Sequence, residues 1–297
     1  MTELPPGVRT MAARGPQWER WVDGLPAVVR SHLAQWELRT DGAATHGSSS
    51  IVVPVRTPED VPAVLKVGFP DGDSEHGHLV LRRWAGEGSV RLLRADPRHR
   101  SMVLERLHPQ SLATLTDVEA CEVVAGIYRR IHVPALPQLR SLTSCVEQWT
   151  REFAELPRSA PIPRRLIEQA MALGSDLSVD TGDGGRVLHG DLHYANVLAA
   201  EREPWLTIAP KPMNGDPHYE LAPLLWHRWD ELAGHVRDGV RYRFHSLIDA
   251  TGLDEERARA WVIVRVVHEA TRELSSQPSL DTTRLTRYVA LAKAVQD

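Results

Sequence analysis

Residues 186–198 read Arg-Val-Leu-His-Gly-Asp-Leu-His-Tyr-Ala-Asn-Val-Leu, and this stretch carries the pair of side chains best suited to chemistry. Asp191 supplies a carboxylate and Asn196, five residues on, a carboxamide. Phosphoryl transfer to a hydroxyl needs both: a carboxylate orients the hydroxyl and accepts its proton, while a neutral oxygen helps hold Mg2+ on nucleotide phosphates. Asp and Asn are also ordinary turn residues, so the pair alone leaves the two readings evenly matched. The spacing His-x-Asp-x-x-x-x-Asn from His189 to Asn196 favours chemistry, because it matches the catalytic-loop pattern of protein kinases.

A second group lies upstream. Ala63-Val64-Leu65-Lys66 places a lysine at the end of an apolar run, in a chain where only Lys66, Lys211 and Lys293 among 35 cationic side chains are not arginine. Such a lysine is one whose position does not suit guanidinium. With Val64, Leu65 and Val67 around it, Lys66 has no evident solvated face, which favours a phosphate contact over a surface lysine. Gly42 to Ser49 has the glycine spacing of a P-loop, but Ser48 stands where that motif needs lysine, so the P-loop is rejected.

The elements that must position these groups follow from periodicity. Residues 17–36 read as a helix interrupted at Pro26, then Ser50–Val55 and Ala63–Val67 as β-branched strands joined by a turn at 57–60. A helix is predicted over 74–85, and strands at 90–93 and 102–104. Past residue 108 the pattern turns helical: 117–132 with Asp117 as cap, 142–156, 163–173, and from about 219 onward. Short apolar runs at 187–189 and 206–208 flank the polar loop. A β-rich first third before a mostly helical remainder is an α+β layout in two lobes, with the boundary between Glu105 and Pro109.

Composition narrows the function classes. Hydrophobic residues make up 42% and charged residues 25% of 297 positions, as in a folded domain. A net charge of -4 argues against broad nucleic-acid binding, which needs a basic face. No apolar run is long enough to predict a membrane span, and residues 1–6 lack a leader pattern. Cys121 and Cys145 make neither a disulfide framework nor a metal site and fit a reducing compartment. The expectation is a soluble cytoplasmic protein, monomer or homodimer, that binds a small molecule.

Beyond the loop, Val53-Pro54-Val55-Arg56, Leu81-Arg82-Arg83-Trp84, Val90-Arg91-Leu92-Leu93, Leu104-Glu105-Arg106-Leu107, Pro210-Lys211-Pro212 and Gly215-Asp216-Pro217 follow one another in order. With Ala63–Lys66 and His189–Leu198, these segments resemble the aminoglycoside phosphotransferases, in particular the streptomycin 6-kinase and hydroxyurea-resistance kinase branch. The resemblance spans about residues 45–235. It implies a bilobal protein-kinase-like fold, with a nucleotide-binding N-lobe at 1–107 and a helical C-lobe at 108–297. It also implies ATP and Mg2+ as cofactors. Asp191 would be the base, Asn196 a magnesium ligand, Lys66 the phosphate contact, and Gly47, Ser48, Ser49 and Ser50 the loop over the nucleotide. Glu105, Arg106 and Leu107 would form the hinge, and Asp216 would brace the catalytic loop. His193 and Tyr194 are placed to touch the acceptor. Glu220, Trp226 and Asp230 are candidates for the substrate cleft, acidic residues there suiting a cationic aminoglycoside.

Two positions depart from the family pattern. Ala209 stands where Ile-Asp-Pro-Lys-Pro supplies the principal magnesium carboxylate, and Gly77 where a glutamate would pair with Lys66. Three readings stay open: a kinase in which Asn196 with Asp216 or Glu75 recruits magnesium, a kinase fold that has lost phosphotransfer and serves another ligand or reaction, and a deliberate change at 209.

Overall fold

In the computed structural model, which describes residues 4–179, 185–276 and 282–296, the chain divides into two compact units. Met1–Pro109 with Ala200–Pro204 make the first, and Gln110–Ala199 with Trp205–Asp297 the second.

The first unit runs α1 (Pro6–Thr10), α2 (Pro16–Gln35), β1 (Arg39–Thr40), β2 (Thr45–His46), β3 (Ser50–Arg56), β4 (Pro62–Gly68), α3 (Gly77–Trp84), β5 (Leu92–Asp96) and β6 (Ser101–Glu105). The strands form one antiparallel sheet in the order β1-β3-β4-β6-β5, with β2 also paired to β3. Because side chains alternate across a strand, Ile51, Val53, Val55, Ala63, Leu65, Val67 and Val103 share one core with Val8, Met11, Val22, Leu25 and Val29 of the helical segment. The opposite face takes Lys66, in register between Val52 and Met102. Pro26 lies inside α2 without ending it. Packing of Val22, Leu25 and Val29 on the sheet outweighs the roughly 3 kcal/mol a proline costs in a helix interior.

The helix expected from residue 74 starts instead at Gly77. Asp71 Oδ1 accepts from Ser74 N at 2.7 Å and Ser74 Oγ at 2.8 Å, holding the preceding segment in a side-chain-closed turn. Gly77 is therefore the first helical residue, not an interior one, and the helix-interior penalty for glycine does not apply. The strand expected at 90–93 is Leu92–Asp96, with a bulge between Leu92 and Arg94.

Ala200–Pro204 joins this unit through Arg202. Its guanidinium reaches both oxygens of Glu105, with Nη2 2.8 Å from Oε1 and Nε 3.0 Å from Oε2, and also meets the carbonyls of Gly86 at 2.7 Å and Ser89 at 2.6 Å.

The second unit runs α4 (Asp117–Ile131), α5 (Leu142–Glu155), α6 (Arg164–Val179), β7 (Arg186–Leu188), β8 (Val197–Ala199), β9 (Trp205–Thr207), β10 (Met213–Gly215), α7 (Ala222–Trp226), α8 (Val236–Thr251), α9 (Glu255–Ser276) and α10 (Thr282–Ala294). Helix α4 packs on α8, α5 on α6, α6 on α9 and α9 on α10. The cap of α4 is Thr116, not Asp117: Thr116 and Glu119 form a reciprocal capping box, which frees the Asp117 carboxylate for tertiary contacts. Two antiparallel ribbons, β7 with β10 and β8 with β9, leave the connections 189–196 and 208–212 side by side. Lys211 N donates to His189 O at 2.8 Å and Ile208 N to Asn196 O at 2.9 Å, stitching them together. Among the described residues no helix is long and apolar enough to cross a membrane.

Replacing Arg202 by leucine leaves the partly buried Glu105 carboxylate without its bidentate partner. Chemical denaturation is expected to show a loss of about 1–3 kcal/mol, mostly absent when Glu105→Gln is combined with it. Additive losses in the two variants would contradict this coupling.

Candidate active site

The loop after β7 is shaped from below. His189 has no solvent exposure. Its Nε2 donates to the Ile208 carbonyl at 2.9 Å and its Nδ1 accepts from Asp191 N at 3.2 Å, so both ring nitrogens have fixed roles. Burial holds its pKa below the usual imidazole value, leaving the ring neutral. Gly190 takes φ +76°, and a Cβ there would come within 2.1 Å of the Lys211 carbonyl oxygen. Only glycine meets both the backbone conformation and the close approach. Arg265 of α9 donates to the Gly190 carbonyl and, at 3.0 Å, to that of Tyr219.

On this base stands Asp191. Lys211 Nζ lies 2.8 Å from its Oδ2. Burial works to raise the Asp191 carboxyl, but the Lys211 ammonium, with a smaller effect of Arg265, outweighs it and holds the pKa below its ordinary value. The carboxylate is ionised at neutral pH and stays partly open to solvent. Asn196 donates its amide nitrogen to the Asp191 carbonyl at 2.8 Å and approaches His193 Nε2 at 3.0 Å. With Nδ2 so engaged, Oδ1 is the atom Asn196 can offer a cation. His193 stacks on His227 with ring centroids 3.6 Å apart. Burial, then the neighbouring ring, pushes the His193 pKa down to about 3, and burial takes His227 to about 4. Both are neutral near pH 7.

Magnesium fits this set only sparsely. A hard cation wants oxygen ligands, commonly one or two carboxylates beside phosphates and water. Asn196 Oδ1 is one protein donor, and Ala209 has none. Ala209 keeps φ +55°, a left-handed conformation that aspartate and asparagine tolerate better than alanine. Asp216 and Glu75, the two substitutes expected from the sequence, are each engaged in other contacts. Asp216 is saturated: it accepts from Trp261 Nε1 at 2.6 Å, His218 N at 3.0 Å, His218 Nδ1 at 2.5 Å and Arg257 Nε. Burial opposes but does not cancel these contacts, which pull its pKa well below the ordinary value. Glu75 lies in the turn ahead of α3 and pairs with Arg100 at 3.2 Å.

The other half of the expected site belongs to the first unit. Lys66 is partly buried on β4. Gly47, Ser48 and Ser49 turn the chain from β2 into Ser50 at the start of β3, and Gly47 N donates to Ser50 O at 3.0 Å. The Ser48 carbonyl accepts from Arg14 at 2.6 Å and the Ser49 carbonyl from Phe69 N at 2.8 Å. Side chains at the expected hinge serve the fold: Glu105 holds Arg202, and Arg106 bonds the carbonyls of Val55 and Ala63 and the carboxylate of Asp41. Leu107 is partly buried.

Two substrate candidates are corrected. Tyr194 is only 2% exposed, with its hydroxyl donating to Asp117 Oδ1 at 2.6 Å, so it braces the loop and does not face an acceptor. Glu220 is 0% exposed and accepts from the backbone nitrogens of His189 and Gly190. It underpins the 189–196 loop and lines no cleft. Trp226 is partly buried, packing edge-on to Tyr288 and under Arg265. Asp230 is 89% exposed and pairs with Arg287 at 2.9 Å. His193 alone of the five stands beside Asp191, Nε2 lying 4.0 Å from Oδ1.

Sequence reasoning missed three residues of this assembly. Lys211 carried a signal, being one of three lysines. Arg265 carried another, a lone cation inside Val262-Ile263-Val264-Arg265-Val266-Val267. Asp117, which also binds Arg243 Nε at 2.7 Å, was hidden by its resemblance to a cap.

An antiparallel sheet unit followed by a helical unit bearing Asp191 and Asn196 between two ribbons is the protein-kinase-like fold of small-molecule kinases. The crystal structure of aminoglycoside phosphotransferase APH(4)-Ia is similar with a TM-score of 0.59 at 14% identity, covering 91% of this chain and 99% of that one. The chain belongs to the aminoglycoside/hydroxyurea antibiotic resistance kinase family, whose model matches residues 35–276. It is 39% identical to a streptomycin 6-kinase of Streptomyces glaucescens over 98% of this chain and 97% of that protein. To a hydroxyurea phosphotransferase of Kitasatospora aureofaciens it is 38% identical, over 88% of this chain and 76% of that protein.

Lys211→Met should raise the Asp191 carboxyl pKa, a shift readable by carboxyl NMR. The depressed pKa contributes stability above about pH 4 that is lost as pH falls through the folded-state value. The stability gap between wild type and variant should therefore close on acidification; a gap independent of pH would refute the pairing.

Proposed function

We propose that this protein transfers the γ-phosphoryl group of ATP to a hydroxyl of an aminoglycoside-like small molecule, the antibiotic-resistance chemistry named for its relatives. The observation that carries this reading is the Asp191 carboxylate, kept ionised by Lys211 at 2.8 Å beside the Asn196 carboxamide. In this reading the acceptor hydroxyl hydrogen-bonds to Asp191. Its oxygen bonds to the γ-phosphorus as the bond to the ADP oxygen breaks, and its proton passes to Asp191. Lys66 contacts the α and β phosphates, the Gly47–Ser50 turn covers them, and the backbone of 105–107 meets the adenine. Were magnesium bound with the nucleotide, Asn196 Oδ1 would be the protein oxygen to hold it, and the ion would neutralise phosphate charge. The neutral His193 ring packs beside the carboxylate and shapes the acceptor side. The protein would act in the cytoplasm, as a monomer or homodimer.

Asp191→Asn should lower kcat by about a hundredfold or more, with ATP still bound, since it removes the base and leaves the nucleotide contacts. Equal turnover in that variant would sink the mechanism.

A second reading is favoured by Ala209 and the saturated Asp216: a kinase fold that no longer transfers phosphate and holds another ligand. Titration of ATP with and without Mg2+ separates the two. An active kinase binds ATP more tightly with Mg2+, and Ala209→Asp strengthens that dependence at an already left-handed position. No nucleotide binding in the wild type, recovered only in Ala209→Asp, would favour the second reading.

A further inference from the structure

The first unit holds three side chains that the phosphotransfer reading does not use: His32 near the end of α2, and Asp96 and His99 at the turn from β5 to β6. His32 is 1% exposed. Its Nδ1 lies 2.9 Å from the Val28 carbonyl, which can only accept, so the ring proton sits on Nδ1. Nε2 is then a bare lone pair, and it faces the Oδ2 of Asp96 at 3.2 Å. Two electron-rich atoms at that distance repel unless a cation stands with them, either a second proton on the ring or a metal ion.

Asp96 is built to present that oxygen. Its Oδ1 accepts from Arg98 N at 3.0 Å, capping the turn that Pro97 stiffens, and Oδ2 is left to both imidazoles. His99 brings Nδ1 to 2.8 Å from Oδ2. One ligand atom from each of the three residues lies within 4.8 Å of the others. Zinc bonds of about 2.0–2.2 Å at tetrahedral angles space ligands roughly 3.3 Å apart, close to the 3.2 Å between His32 Nε2 and Asp96 Oδ2. The ring of His99, 53% exposed, lies edge-on to the His32 ring with centroids 5.4 Å apart, so both imidazoles border the same space. Two imidazoles and one carboxylate suit zinc and are too few oxygens for magnesium or calcium. The bond from His32 Nδ1 to a backbone carbonyl is the outer contact that orients metal-binding histidines.

We propose that His32, Asp96 and His99 bind one Zn2+ or a divalent ion of the same class, with water in the fourth position, clamping α2 to the β5–β6 turn. The site is independent of phosphotransfer, so its test does not use activity. The full chain, stripped with EDTA, is titrated with Zn2+ by calorimetry and thermal denaturation, and with Co2+ by visible absorption. Wild type should take up one equivalent, gain several degrees in Tm and give the intense visible bands of tetrahedral cobalt. His99→Ala, at an exposed position that folding tolerates, and Asp96→Asn should each weaken binding at least tenfold. Unchanged Zn2+ affinity in both variants, or no stoichiometric uptake by wild type, overturns the proposal. So does a Tm that responds to pH at this cluster and not to metal, which would assign the cation to a second proton on His32.

Discussion

A carboxylate without solvent exposure lies beneath the 189–196 loop, and the arrangement above it depends on how that charge is met. Glu220 would cost several kcal/mol to bury alone. Burial works to raise its pKa, but His132 at 3.6 Å and Arg265 outweigh that and hold it below the ordinary carboxyl value. Its oxygens accept from the backbone of His189 and Gly190, a geometry available only because Gly190 adopts φ +76°. The loop conformation and the buried charge therefore specify each other. Asp191 is the next residue, so its position is inherited from a hydrogen-bonded anchor and not from its own side chain. Tyr128 extends the anchor by donating to the Glu220 carbonyl at 3.0 Å.

Above this base the electrostatics are organised around one cation and one missing anion. Lys211 offsets the desolvation of Asp191 and leaves it ionised in a partly buried setting. Two residues earlier, Ala209 takes a left-handed backbone and offers no side-chain oxygen. Lys211 supplies the fixed positive charge beside the carboxylate. Asp216 cannot compensate, because Trp261, His218 and Arg257 occupy its oxygens.

The first unit follows a simpler rule. Two-residue alternation along β3 and β4 sends Val and Ile toward α2 and sends Lys66 to the other face, so a charge sits on a central strand without entering the core. Arg202 then secures the far end of β6 from a loop nearly a hundred residues away, through Glu105.

Local pattern determined much of this protein. The strands carrying Lys66, the helices of the second unit and the spacing of Asp191 and Asn196 were legible because periodicity and turn chemistry act over a few residues. The start of α3 was misread because a side-chain turn at Asp71 competes with helix. Tertiary structure alone decided what each polar group does. Glu220 and Tyr194 look like cleft residues in the sequence and are buried braces in the fold, since what distinguishes the two is desolvation, which no local pattern records. Asp117 meets Tyr194 and Arg243, and Gly190 meets Arg265, across many tens of residues. Such pairings exist only once the helices have packed and a polar atom taken from water must find its partner inside the protein.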